Sequence, residues 1–133
     1  MVASLILLSS FLPLSLEARS RSSLPPESSY VSALASADRL LHAWQSGDIE
    51  SGMVLLTTHA KESATSDAVE SFFSNQNPSA YEIGHGKIIK GGRYEFPVVL
   101  IGSLTQTGRA HRKFSRIVIV NTGHNDWAVD KLP

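Results

Sequence analysis

The hydrophobic period changes once along this chain, and that change limits the folds open to it. Over residues 30–76 apolar side chains recur at three- and four-residue steps. Over 79–132 they alternate in runs bounded by turn residues. A step near 3.6 buries one stripe of a helix, and a step of two buries one face of a strand. A helical half followed by a strand half means an α+β fold, with N-terminal helices packed on a strongly bent antiparallel sheet. Layers of this kind can close into a cone with a cavity between them.

The first helix is expected over about Tyr30–Ser46. There Tyr30, Leu34, Ala37, Leu41 and Trp44 form one apolar stripe, and Gly47 supplies the stop. Asp48 then caps a second helix, with Ile49, Met53, Val54 and Leu56 apolar. The polar stretch Thr57–Ser66 reads as irregular, with a short extended piece around His59. A third helix runs from about Asp67 to Asn75, where Asp67 and Glu70 resemble a capping box and Val69, Phe72 and Phe73 face the core.

Four strands follow, at about Ala80–Lys90, Arg93–Leu104, Arg109–Asn121 and Asp126–Leu132. Gly91-Gly92 marks a two-residue hairpin, because both central turn positions need positive φ. That loop pairs Ile89 with Tyr94, Lys87 with Phe96 and His85 with Val98. Tyr81, Ile83, His85 and Ile89 then share the helix-facing side with Tyr94, Phe96, Val98 and Leu100. Glu82, Gly84, Gly86, Lys90, Arg93 and Glu95 take the wetter side. Pro97 suggests an edge or a bulge. The run Ile117-Val-Ile119-Val is apolar on both faces, as a central strand or one covered on its second face requires.

The chain's 133 residues suit one domain, and a 42% hydrophobic, 18% charged composition supports a core. Twelve basic and twelve acidic residues give no general attraction to nucleic acid or to an anionic membrane. The apolar run over 5–16 falls short of the roughly 20 residues of a spanning helix. It fits a signal peptide over 1–18, followed by a Ser/Pro-rich tether over 19–29 and a folded domain over 30–133. The expected location is secreted or periplasmic, with an uncleaved N-terminal anchor as the alternative. There is no cysteine, so no disulfide can hold the domain together.

The order of elements resembles the cone-shaped fold of the nuclear-transport-factor-2-like (cystatin-like) superfamily. One carrier is Leu40-Leu41-His-Ala-Trp44-Gln-Ser-Gly47-Asp48-Ile-Glu, similar to that family's first helix, Gly-Asp break and second helix. The other is Asn125-Asp-Trp127-Ala-Val129-Asp130, similar to its closing strand. The resemblance covers about 100 residues. It implies a fold shared by isomerases, dehydratases, cyclases and many non-catalytic binding, dimerising or secreted domains, and fold does not choose among them.

Two histidines are candidates for acid–base work. The hairpin register places His85 among apolar residues on the helix-facing side, and His59 follows the second helix. Tyr30, Trp44, Phe72, Tyr81, Tyr94 and Phe96 are candidate lining for a pocket, although aromatics at these periods also build cores. Arg116, flanked by Phe114 and Val118 on its own face, can meet a buried acid or a ligand carboxylate. The local basic cluster around residues 109–116 splits between two faces of its strand. The five histidines, at 42, 59, 85, 111 and 124, show no i, i+4 pair, so neither a metal nor another cofactor is expected.

The leading expectation is an exported, non-catalytic domain that binds a small apolar or amphipathic molecule or a protein partner. An isomerase- or dehydratase-like enzyme with a pocket histidine base is the first alternative. A homodimer formed through the sheet, with Ile117 and Ile119 on the interface, is the second.

Overall fold

The computed structural model describes residues 26–74, 79–104 and 109–133. Among them, four helices precede five strands. The helices are α1 (Pro26–Ser46), α2 (Ile49–Val54), α3 (Thr58–Ser63) and α4 (Ser66–Phe73). The strands are β1 (Ala80–Ile83), β2 (Lys87–Ile89), β3 (Arg93–Leu104), β4 (Ala110–Asn121) and β5 (Trp127–Lys131). The fold is α+β, and its sheet is antiparallel and open, in the order β1-β3-β4-β5 with β2 also on β3. The signal-like segment lies outside the described residues, as does all of the tether before Pro26. No helix among the described residues is long and apolar enough to cross a membrane.

Helix α1 begins about one turn before the expected Tyr30. Pro26 opens it, where a missing N–H costs nothing, and Glu27 places a negative charge on the positive end of the helix. Ala33, Ala37, Leu40, Leu41 and Trp44 form its buried stripe, with Tyr30 and Leu34 packed at the margin. The end of α1 is a Schellman motif. Gly47 has φ of 68°, its N–H donates to Trp44 O (3.2 Å), and the Asp48 N–H donates to Ala43 O (2.9 Å). Asp48 at once caps α2, accepting from the Ser51 N–H at 3.1 Å. Both Ser51 bonds, from its side chain and its backbone, lower the Asp48 pKa.

The stretch expected to be irregular, with an extended piece at His59, is instead helix α3. Its cap is Thr57, whose hydroxyl accepts from the Ala60 N–H. Helix α4 begins at Ser66 rather than Asp67, because Thr65 is the residue whose side chain caps it, and Asp67 stands in the first turn.

The first expected strand is two strands. Gly84-His85-Gly86 interrupts it, with the Gly84 N–H donating to Pro97 O at 2.7 Å. The hairpin turn also differs. Gly91 and Gly92 do take positive φ, 83° and 70°, but Ile89 pairs with Arg93, so Lys90 joins the loop. Ile88 now pairs with Tyr94, and Lys87 with Glu95. The one-residue slip moves Ile89 off the expected core face and onto that of Arg93. His85, expected inside, falls in the interruption and is exposed.

The core lies between α1 and one face of the sheet. Phe73, Phe96, Leu40, Leu41, Ile117 and Ile119 are all at most 1% exposed and fill that space. Burying a side chain of this size stabilises the fold by about 1.5–3 kcal/mol. Ile117 and Ile119, expected on a dimer interface, therefore belong to the core. It is Val118 that points the other way, and it too is buried although it stands outside the core cluster. Over Ile117–Val120, β4 is apolar on both faces, as its sequence requires.

Candidate functional site

What buries Val118 on the outer face is also what builds the best-organised polar site. Between Val118 and Ile119 the β4–β5 register shifts: Val118 pairs with Lys131 and Ile119 with Val129, leaving Asp130 as the extra residue of a bulge. A bulge re-aims a side chain. Here the carboxylate of Asp130 sits 8% exposed on a strand otherwise built for packing.

The free edge of β5 takes a further partner. Leu56 makes a parallel bridge to Val129, the Val129 N–H donating to Leu55 O (2.8 Å) and the Thr57 N–H to Val129 O (2.9 Å). The bridge delivers the first turn of α3 to Asp130. The Thr57 hydroxyl accepts from the Ala60 N–H at 3.0 Å and donates to Asp130 Oδ1 at 2.7 Å. Two residues on, His59 Nδ1 lies 3.2 Å from the same oxygen. One helical turn further, Ser63 Oγ lies 3.2 Å from His59 Nε2. From β3, Arg93 forms an ion pair with Asp130 Oδ2. Both carboxylate oxygens are engaged, which a buried carboxylate needs.

The Nδ1–Asp130 contact is an ion-pair approach, and the Nε2–Ser63 contact is a hydrogen bond. A proton on Nδ1 faces that carboxylate favourably. A neutral ring then leaves Nε2 as the acceptor, and the Ser63 hydroxyl is its donor. His59 is 70% exposed, so the ring touches solvent while its orienting carboxylate does not.

Beside these contacts lies a cleft of about 470 Å³. Ala60, Ala64, Ile89, Val118 and Leu132 give it an apolar floor, and His59, Ser63, Arg93, Asp130 and Lys131 a polar wall. An apolar pocket with a few convergent polar groups is the usual form of a small-molecule site.

The other candidate residues are dispersed. Tyr30, His85, Tyr94 and Phe96 form one aromatic group. The Tyr30 ring lies 5.5 Å from both His85 and Phe96, and its hydroxyl accepts from the Gly86 N–H at 3.0 Å. His85 Nδ1 is 3.3 Å from that hydroxyl, at the surface. Trp44 stacks on Phe72 elsewhere, with ring centroids 6.3 Å apart. Tyr81 donates to Asp38 Oδ1 at 2.8 Å; partial burial and then that carboxylate push its pKa up to about 12. Arg116 stays on the outer sheet face, 3.5 Å from Glu95, which also meets Lys87 at 3.4 Å.

Of the residues singled out from sequence, only His59 lies in the cleft. Asp130, Thr57, Ser63 and Arg93 were missed. Asp130 had a signal, being a carboxylate inside a short apolar strand. The His59–Ser63 spacing of four becomes one only when those residues are read as helix. Among the described residues no cluster of three or more His, Cys, Asp or Glu is placed to hold a metal ion.

No protein-family model, no curated protein and no solved structure matches the chain.

Proposed function

We propose that this is an exported domain of the cone-shaped, nuclear-transport-factor-2-like type, and that it binds a small amphipathic molecule in the cleft between α3 and β5. The order of helices and antiparallel strands supports the fold assignment, and the leader-like sequence over 1–18 supports export. One observation carries the binding reading. An apolar floor lies directly against a buried, fully bonded carboxylate, with Arg93, Lys131 and His59 at the wall. The space between α1 and the sheet, where the cone fold would place a ligand, is filled by Phe73, Phe96 and their neighbours. The apolar part of the ligand rests on the floor and its polar end meets the wall.

Calorimetry with octanoate, octanol and octylamine tests this. At about 0.8 kcal/mol per buried CH₂, full burial of an eight-carbon tail contributes about 6 kcal/mol, a Kd on the order of 10–100 μM. Ala64→Trp fills the cleft and is expected to abolish binding. Failure of all three compounds to bind, or binding that survives Ala64→Trp, refutes the proposal.

A second reading is pairing of two copies through the outer sheet face. The observation in its favour is Phe114, 76% exposed among Val99, Pro97 and the Arg116–Glu95 pair. Under a two-fold axis those opposite charges complement their own copy. Sedimentation equilibrium of Phe114→Glu against the unaltered protein decides it: equal masses would rule out the pairing.

A further inference from the structure

We infer that the cleft is an acyl-transfer site in which Ser63 is the nucleophile, His59 the general base and Asp130 the residue that positions the imidazole. The inference rests on the reading of the cleft as a ligand site, and it names the substrate class as esters with a small apolar acyl group.

The atoms that meet are the ones such chemistry uses. Ser63 Oγ faces Nε2 and Asp130 Oδ1 faces Nδ1, each at 3.2 Å. Nucleophilic catalysis by serine needs that order: a base within reach of the hydroxyl, and a carboxylate on the other ring nitrogen to hold the tautomer. The constellation is recognised by such roles and not by position along a chain.

The carboxylate is fixed where fixity matters. Asp130 is held by Thr57 and by Arg93 independently of the histidine. Its oxygen is in place before the imidazole takes a proton, and the imidazolium formed would sit beside a buried anion. Ser63 and His59 are exposed, so an ester can reach them. The surroundings suit an ester as well. The apolar floor suits an acyl chain, and Arg93 and Lys131 line the same cleft. A cation there stabilises the negative oxygen of a tetrahedral intermediate.

The chemistry balances with water as the only co-reactant. Ser63 Oγ bonds to the ester carbonyl carbon while its proton passes to His59 Nε2. The carbon–oxygen bond to the alcohol breaks, and the alcohol leaves with that proton. Water then attacks the acyl-serine, giving a proton to Nε2. The acid departs, and the proton returns to Ser63. The net change is ester plus water to acid plus alcohol.

The test treats the protein with a short-alkyl fluorophosphonate and reads intact mass, peptide map and rate of adduct formation. One adduct is expected, on Ser63. Ser63→Ala should give none, and His59→Gln should slow labelling about 100-fold, the lower range for loss of a general base. Both side chains are exposed, so neither change threatens folding. Asp130→Asn is expected to slow labelling in the unaltered protein and to have no further effect in the His59→Gln background; a purely structural role would slow both alike. No adduct, an adduct elsewhere, or labelling indifferent to His59→Gln overturns the inference. Octanoate calorimetry on the unaltered protein separates the two proposals. Binding without labelling removes acyl transfer and keeps the ligand site, and labelling without binding does the reverse.

Discussion

Gly52 offers a sharp test of how tightly the helical layer is packed. In an isolated helix Gly→Ala is favourable, by about 1 kcal/mol. Gly52 lies in α2 and is buried. A Cβ built on it falls 2.9 Å from Cδ1 of Phe73 and closer still to Cε1 and Cζ of that ring. Carbon atoms prefer about 3.5–4.0 Å, so the ring or the helix must move by roughly 1 Å or more. Phe73 is 1% exposed and packs edge-on against Phe72, with centroids 5.0 Å apart, so the ring has nowhere free to go. Overpacking of this kind costs about 1–3 kcal/mol, occasionally more. The crowding of three ring atoms argues for the upper end. Subtracting the propensity gain leaves a net loss of about 2 kcal/mol. Urea denaturation of Gly52→Ala, followed by circular dichroism, should show a lower midpoint at an unchanged slope. Phe73→Leu should be less harmful in the Gly52→Ala background than alone, because the smaller side chain makes room for the new methyl. A neutral or stabilising Gly52→Ala, or additive effects in the double variant, refutes the reasoning.

Other outcomes follow from the site. Thr57→Val keeps the shape of the cap but removes both its bonds, to Ala60 and to Asp130; the expected cost in chemical denaturation is about 2 kcal/mol. Arg93→Met strands the Asp130 carboxylate. Because Arg93 is 40% exposed, the loss should be about 2 kcal/mol, below that of a fully buried pair, and Asp130→Leu in the same chain should recover most of it. Tyr81 should titrate near pH 12 by ultraviolet absorbance, and Asp38→Ala should lower that only part of the way, because burial, the larger cause, remains. Its folded-state pKa lies above the unfolded one, so the folded protein holds the proton longer. The stability from this group is full below pH 10 and drains as pH rises toward 12.

Periodicity made the larger elements legible because burial on one side imposes it. The α1 stripe, the buried face of β3 and the two apolar faces of β4 could all be read directly. Helix α3 could not. Only Ala60 among its six residues is buried, so it has no stripe, and its start depends on Thr57 meeting a strand far along the chain. The Gly91-Gly92 turn was legible in its φ angles but not in its length. That one residue moved Ile89 beside Arg93 and so into the cleft. His85 was misplaced for a related reason. Alternation assumes an unbroken strand, and Gly84 and Gly86 bracket a break. The site itself was mostly hidden because its residues come from α3, β3 and β5, and a bulge that no local pattern announces turns Asp130 toward the others.

The Leu56–Val129 bridge also has a kinetic side. The Thr57–Asp130 bond beside it joins residues 73 positions apart. Closing so long a loop costs on the order of 4 kcal/mol of chain entropy before any contact repays it. Strand β5 must be seated on β4 first, since its outer edge is what α3 docks against. The cleft therefore cannot close before β5 is in place, and the short helix that walls it is held by one buried residue, Ala60, and by the contacts of its cap with β5. Its amides should exchange through local openings well short of global unfolding, and a ligand seated on Ala60 and Ala64 should slow that exchange.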